Sequence, residues 1–160
     1  MIDEQPVDNV TLVSFADFFR TFEPKLSRAL AAGFGFDAGR DAAAEALGYA
    51  WRNWPKVSIM DNPQGYLYRI AERSAMRSRR RRDVFPLAQS SDATSFEPAL
   101  APALSRLSLL QRQAVVLVAA YGLTHAEAAE LLGVAPSSIQ NHVERGMSKL
   151  KHSLGAHDDR

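Results

Sequence analysis

The feature that most constrains this chain is the period of its apolar residues. Leucine, alanine and arginine dominate, turn signals recur at short intervals, and the β-branched alternation of a half-buried strand is nearly absent. Only helices bury such a pattern, so an all-α protein is expected. Phe15, Phe18, Phe19 and Phe22 make one stripe on a first helix, which Pro24 should kink or interrupt. Asp37 can cap a second helix that runs to Trp54, where Pro55 should stop it. At about 100° per residue, Ala43, Leu47, Ala50, Trp51 and Trp54 gather on a core side of this helix. Asp41, Ala44, Glu45, Gly48 and Arg52 gather on the other, a small polar face suited to solvent or to a partner helix.

Asn62-Pro63 is a cap followed by proline at the first helical position, opening a third helix to about Arg82. Leu67, Ile70, Ala71 and Ser74 form its buried stripe. Roughly opposite stand Tyr66, Arg69, Arg73, Arg77 and Arg80, an aromatic at the head of an arginine row along which a single strand's backbone could run. The net charge of +1 conceals this block: residues 69–82 carry 7 basic and 1 acidic side chain, whereas residues 1–68 carry 6 and 9. A solvated arginine run would look the same in sequence, and a polyanion-facing patch is the functional alternative.

Residues 83–102 are rich in Ser, Ala, Asp and Pro with no period, which predicts a flexible linker between two small helical units. The second unit carries stronger local signals. Ser108 with Gln111 is a capping box for a helix through Ala120 that Gly122 closes, and Thr124 with Glu127 is another for a helix ending at Gly133. Pro136 then lies in the first turn of a last helix, so helix, Gly133-Val134-Ala135 turn and helix follow the order of a helix-turn-helix. On that last helix Ile139, Val143, Gly146 and Leu150 must pack inward. The opposite arc carries Ser137, Ser138, Asn141, Glu144, Arg145 and Ser148, flanked by Gln140, His142 and Lys149. Asn can pair with adenine and Arg with guanine, while Glu accepts from cytosine and Lys, Gln and hydroxyls hold phosphates.

Composition removes several classes of function. No apolar run approaches the roughly 20 residues that span a bilayer, the longest being Ala114 to Tyr121. The acidic start MIDEQPVDN is unlike a signal or transit peptide, so a cytoplasmic protein is expected. With no cysteine and four scattered histidines, neither a metal centre nor any other cofactor is expected. His125-Ala-Glu127 fits neither a zinc deaminase, which needs cysteines, nor a zincin, so no enzyme is expected.

Taken with their order, these motifs resemble a bacterial sigma factor of the sigma-70 family, in its extracytoplasmic-function (ECF) group. Such a factor joins two helical domains, regions two and four, by a linker. The resemblance covers about residues 12–154. It is carried in the first unit by Asp41 to Leu47 and by Tyr66-Leu-Tyr-Arg-Ile70-Ala71 with its arginines. In the second it is carried by Leu104 to Leu107, Arg112, Gly122-Leu-Thr124, Glu127 to Ala129, Leu132-Gly133-Val134 and Ile139 to Leu150. Ala44 stands where the family pattern has glutamine, Tyr66 where it has tryptophan, Arg73 asparagine, Arg77 aspartate, and Met147 a frequent arginine.

The resemblance implies a region-two domain at 12–82, a linker at 83–102 and a region-four helix-turn-helix at 103–154. It implies that Asp41, Ala44, Glu45, Gly48 and Arg52 dock on the clamp helices of the polymerase β′ subunit, with the β flap as a further contact on the RNA polymerase core. Asn62 in the Ile59–Gly65 loop, with Tyr66, Arg69, Arg73, Arg77 and Arg80, would hold the melted minus-ten element. Ser137, Ser138, Gln140, Asn141, His142, Glu144, Arg145 and Lys149 would read the minus-thirty-five element, and an anti-sigma factor is a possible further partner. Two other readings stand beside this one. Pro136 to Val143 also resembles the recognition helix of quorum-sensing-type response regulators, which implies an autonomous, dimeric regulator. A sigma-like chain that binds partners without initiating is the other.

Overall fold

A computed structural model describes residues 9–84 and 99–158, and all regular structure in them is helical. α1 (Asn9–Phe34) and α2 (Phe36–Arg52) form an antiparallel pair that turns at Gly35, whose φ of 89° suits glycine. The short α3 (Trp54–Val57) leads to α4 (Pro63–Val84), which packs across both. The second half comprises α5 (Leu100–Ser105), α6 (Leu109–Val115) with a π-helical continuation over Val116–Ala120, α7 (His125–Leu132) and α8 (Pro136–Asp158).

Several local expectations are corrected. α1 runs on through Pro24. An internal proline costs about 3 kcal/mol, but Phe22, Leu26 and Leu30 around it are fully buried, and each contributes about 1.5–3 kcal/mol. Burial wins over the broken backbone bond. Gly35, not Asp37, occupies the N-cap of α2, and Asp37 lies in the first turn, where its charge suits the helix dipole. α2 ends at Arg52, and Pro55 sits in the first turn of α3, where a missing N–H breaks no intrahelical bond. Trp51 was expected in the core but is 51% exposed. The buried stripe of α2 is built from Ala42, Ala43, Ala46, Leu47 and Ala50, and Trp51 lies at its margin, edge-on to Phe15 at 5.0 Å. Phe19 is likewise exposed, whereas Phe22 and Trp54 are buried.

The other expected side-chain caps are present. Asn62 Oδ1 accepts from the Gly65 N–H at 2.8 Å and opens α4. Ser108 and Gln111 cap each other reciprocally, as do Thr124 and Glu127, with the Thr124 N–H donating to Glu127 Oε2 at 2.8 Å. α6 does not stay α-helical to Ala120: its last turn widens, so that the Tyr121 N–H reaches the Val116 carbonyl at 3.1 Å. α7 ends on Gly133 in the left-handed conformation, φ 67°. At Gly146 the approach of α8 to α6 is so close that a Cβ would lie 2.6 Å from Val115 Cγ2.

Both helical units are present, and in this structure they are packed together. One core runs from Phe22, Leu26 and Leu30 of α1 through Leu67 and Ala71 of α4 to Leu117, Leu131 and Ile139 of the second unit. The expected linker is helical at both ends, since α4 reaches Val84 and α5 begins at Leu100, and residues 85–98 lie outside the described residues. Among the described residues no helix is long and apolar enough to cross a membrane, and no group of His, Asp and Glu could hold a metal ion.

The Glu127 carboxyl is held below its ordinary range by the Thr124 backbone and side-chain hydrogen bonds, then by Lys25. A depressed carboxyl pKa adds stability that is present above the unfolded value and is lost as pH falls through the folded one. Melting temperature is therefore expected to drop on acidification from the ordinary Glu range downward. Thermal melts of the wild-type chain and Glu127→Gln check this: the difference between the two should shrink as acid is added, and a constant difference would exclude the linkage.

Candidate nucleic-acid and polymerase interfaces

Three surfaces carry the residues singled out in the sequence. The first is the outer face of α8. Ile139 and Leu150 are buried, Gly146 touches α6, and Val143 packs half-buried on the core. This inward stripe fixes the rotation of the helix. Ser137, Gln140, Asn141, Glu144, Arg145, Ser148 and Lys149 are consequently exposed, with Ser138 half-buried. Three of these are restrained: Gln140 Nε2 donates to Glu144 Oε1 at 3.1 Å, and Lys149 Nζ donates to Gln111 Oε1 at 3.2 Å. Asn141 and Arg145, one turn apart, have no such partner among the described residues. His142 is half-buried, and among the described residues its enclosed Nδ1 has no hydrogen-bond partner. The ring is thus turned partly into the fold rather than onto the reading face.

The second surface is the row on α4. Leu67, Ala71 and Ser74 are buried as expected and Ile70 is half-buried, and they are joined by Tyr68 and Ala75, which the sequence reading missed. Arg69, Arg73 and Arg77 are exposed on successive turns with Tyr66 at their head, and the side chain of Arg80 lies outside the described residues. The Tyr66 and Tyr49 hydroxyls share a hydrogen bond at 3.1 Å. This bond, then burial, pushes the Tyr66 phenol up, against the pull of Arg73. The exposed ring of Tyr66 is of a kind on which a base could stack. Burial also raises the Glu72 carboxyl, against Arg69 and Arg73. Asn62 stands at the start of the helix, but its amide also donates to the Glu130 carbonyl of α7 at 2.8 Å.

The third surface is the outer face of α2. Asp41, Ala44, Glu45 and Arg52 are exposed and Gly48 is half-buried. Glu45 is less free than its position suggests, because it accepts hydrogen bonds from Ser74 and, at 3.4 Å, from Arg77. The α2 face and the arginine row thus meet along one seam. Ser74 had been assigned only to packing, and nothing in the sequence pairs residues 29 positions apart.

The sigma-70 region 4 family model matches residues 99–150, from α5 through most of α8. The ECF RNA polymerase sigma factor SigM of Mycobacterium tuberculosis is 36% identical over 73 residues, 46% of this chain but only 37% of that relative. The fold resembles the sigma factor RpoE from Bartonella quintana, solved in complex with the anti-sigma factor NepR. That likeness has a TM-score of 0.62 and 24% identity over 89% of this chain and 97% of that one. It also resembles CnrH, solved in complex with the cytosolic domain of CnrY, with a TM-score of 0.61 and 21% identity over 91% and 90% of the two chains. At these identities the solved structures speak for the fold, while the family model and SigM speak for the lineage. Residues 99–150 thus match the sigma-70 region 4 family, 73 residues are similar to the ECF factor SigM, and the fold over 89% of the chain resembles that of the sigma factor RpoE.

Proposed function

We propose that this chain is a cytoplasmic transcription initiation factor that binds RNA polymerase core and directs it to a bipartite promoter. Residues 12–82 serve core binding and the melted minus-ten element, residues 103–154 the minus-thirty-five element, and residues 83–102 join them. The α2 face docks on the β′ clamp helices, with the β flap as a second point on core. The observation that supports this reading is the pairing, in one chain, of a helix-turn-helix whose last helix exposes a polar face suited to base edges with a separate aromatic-headed arginine row. Polymerase supplies the chemistry and this chain supplies address and strand opening. The similar RpoE structure is a complex with an anti-sigma factor, which supports an anti-sigma partner here.

Mixing the purified chain with core polymerase and a genomic promoter library, then mapping start sites, tests the reading. Defined starts sharing a bipartite element are expected. Core binding without starts would instead indicate a partner-binding relative, and palindromic sites bound without core would indicate an autonomous regulator.

For the core contact, Asp41→Lys is a cleaner probe than any change at Glu45, whose reversal would set a lysine against Arg77 and strand Ser74. Asp41 is exposed in mid-helix, so the fold should survive. A like charge placed in a complementary interface is expected to weaken core binding about tenfold or more. Pull-down titration with circular dichroism as the folding control measures it, and unchanged core affinity would remove the α2 face from the interface.

A further inference from the structure

Two side chains of α2 reach α4 through hydrogen bonds, and only Glu45, which accepts from Ser74 and Arg77, has a place in the reading above. The other is Tyr49, one helical turn later. Its hydroxyl and that of Tyr66 share a hydrogen bond at 3.1 Å, and the two rings lie 6.1 Å apart at 53°. The two ends of this bond are held unequally. Tyr49 is half-buried and packs on the core, and its carbonyl accepts from the Asn53 amide at 2.9 Å. Tyr66, near the start of α4, is 37% exposed, and among the described residues its hydroxyl has no other hydrogen-bond partner.

The geometry decides what Tyr49 can do for a nucleic-acid strand. A base lying between the two rings would need about 6.8 Å, two stacking distances of about 3.4 Å each, and rings close to parallel. At 6.1 Å and 53° the space is too narrow and too oblique. An unpaired base is left with the face of Tyr66 turned away from Tyr49. Tyr49 therefore acts through Tyr66, and what it contributes is orientation. A side chain free to change rotamer loses that freedom when a ligand orders it, which weakens binding. A ring tied at its far end, the hydroxyl, to a residue packed on the core has lost much of that freedom beforehand.

We propose that Tyr49 is a positioning residue for strand opening: from α2 it holds the Tyr66 ring in the orientation on which an unpaired base stacks. The proposal rests on the reading of α4 as the surface that holds the melted strand. It gives the residue next to Gly48 a task separate from core docking, since the Tyr49 hydroxyl is turned to α4 while Asp41, Ala44 and Arg52 are exposed on the outer face of α2. With Glu45 on Arg77, α2 then steadies the aromatic head of the row as well as an arginine further along it.

Phenylalanine at either end keeps the ring and removes the bond. The assay uses core polymerase and a promoter found by the start-site mapping, with 2-aminopurine placed in the melted element. Tyr49→Phe and Tyr66→Phe are each expected to lower strand opening by about two- to tenfold, the shift that loss of one net hydrogen bond produces. Because both remove the same bond, the double variant should be no worse than either single one. Quenching of the 2-aminopurine, which reports stacking on a ring, should weaken in step. Tyr66→Ala deletes the ring and should lose more, and upstream selectivity should stay unchanged throughout.

Tyr66→Trp separates positioning from a packing fault at Tyr49. An indole offers a larger face and has no hydroxyl to be tied, so in that background Tyr49→Phe should leave opening and quenching as they were. A loss that persisted there would make Tyr49 a structural residue and overturn the proposal. Full opening by both phenylalanine variants, with a loss in Tyr66→Ala, would also overturn it and leave Tyr66 as the stacking ring. Full opening by Tyr66→Ala would remove Tyr66 from the strand contact and the proposal with it. No opening by the wild-type chain would remove the initiation-factor reading itself.

Discussion

Replacing Arg145 by alanine is expected to remove about 1–3 kcal/mol of discrimination in the upstream promoter element, roughly 5- to 150-fold, with no loss of fold. Arg145 is exposed on the face of α8 opposite Ile139 and Leu150, and among the described residues no hydrogen bond or ion pair engages it. Asn141, one turn earlier, is expected to behave alike. Gln140, Glu144 and Lys149 should give smaller effects, because each already has a partner whose loss offsets part of any contact to DNA. Start-site sequencing across a promoter library separates the outcomes: for Arg145→Ala and Asn141→Ala the upstream letters should degenerate while the downstream element keeps its own. Full upstream selectivity in both variants would mean that α8 is not the reading helix.

Much of the fold was legible in the sequence, for a reason that also sets the limit. A capping box joins groups three residues apart, so Ser108 with Gln111 and Thr124 with Glu127 can be read directly from the chain. The rotation of α8 follows from a stripe of four apolar or small residues. Pro24 and Trp51 were misread because each was judged by a local rule. At Pro24 the burial of Phe22, Leu26 and Leu30 outweighs the rule, and at Trp51 the alanines of α2 fill the core without it. The seam between the units was not legible at all. Gln113 finds partners 84 and 45 residues away, and in sequence it is only a glutamine at the head of an apolar run. Its burial is tolerable because its amide protons meet a carbonyl and a hydroxyl. The same enclosure pushes the Tyr68 phenol far above its ordinary range, chiefly by burial and then by the Glu72 charge.

That seam also explains why the candidate sites divide in the structure. Asn62 is tied to the Glu130 carbonyl of α7, whereas Arg69, Arg73 and Arg77 are exposed and Arg77 is joined to Glu45. A variant meant to test strand holding should leave the Arg77–Glu45 pair intact, because removing Arg77 would disturb the α2 face as well. Arg69→Ala with Arg73→Ala meets this condition.

In the assembled initiating complex this double variant is expected to lose two contacts to the strand backbone. Hydrogen bonds to charged groups contribute about 1.5 kcal/mol each at the low end of their range, so strand opening should fall by about 3 kcal/mol, roughly 100-fold. Two charges withdrawn from a single strand should also flatten the dependence of log affinity on log salt by about 1.4, at about 0.7 per charge. Upstream selectivity should be untouched, since α8 is unchanged. Glu72 would be left without the two cations that oppose its raised pKa, so Glu72→Gln in the same background is the control that separates loss of positive charge from gain of an uncompensated carboxylate. Permanganate footprinting at several salt concentrations measures both quantities. A drop in opening with an unchanged salt slope would place Arg69 and Arg73 in the packing of α4 rather than on the strand, and the aromatic ring of Tyr66 would then have to carry the melted element alone.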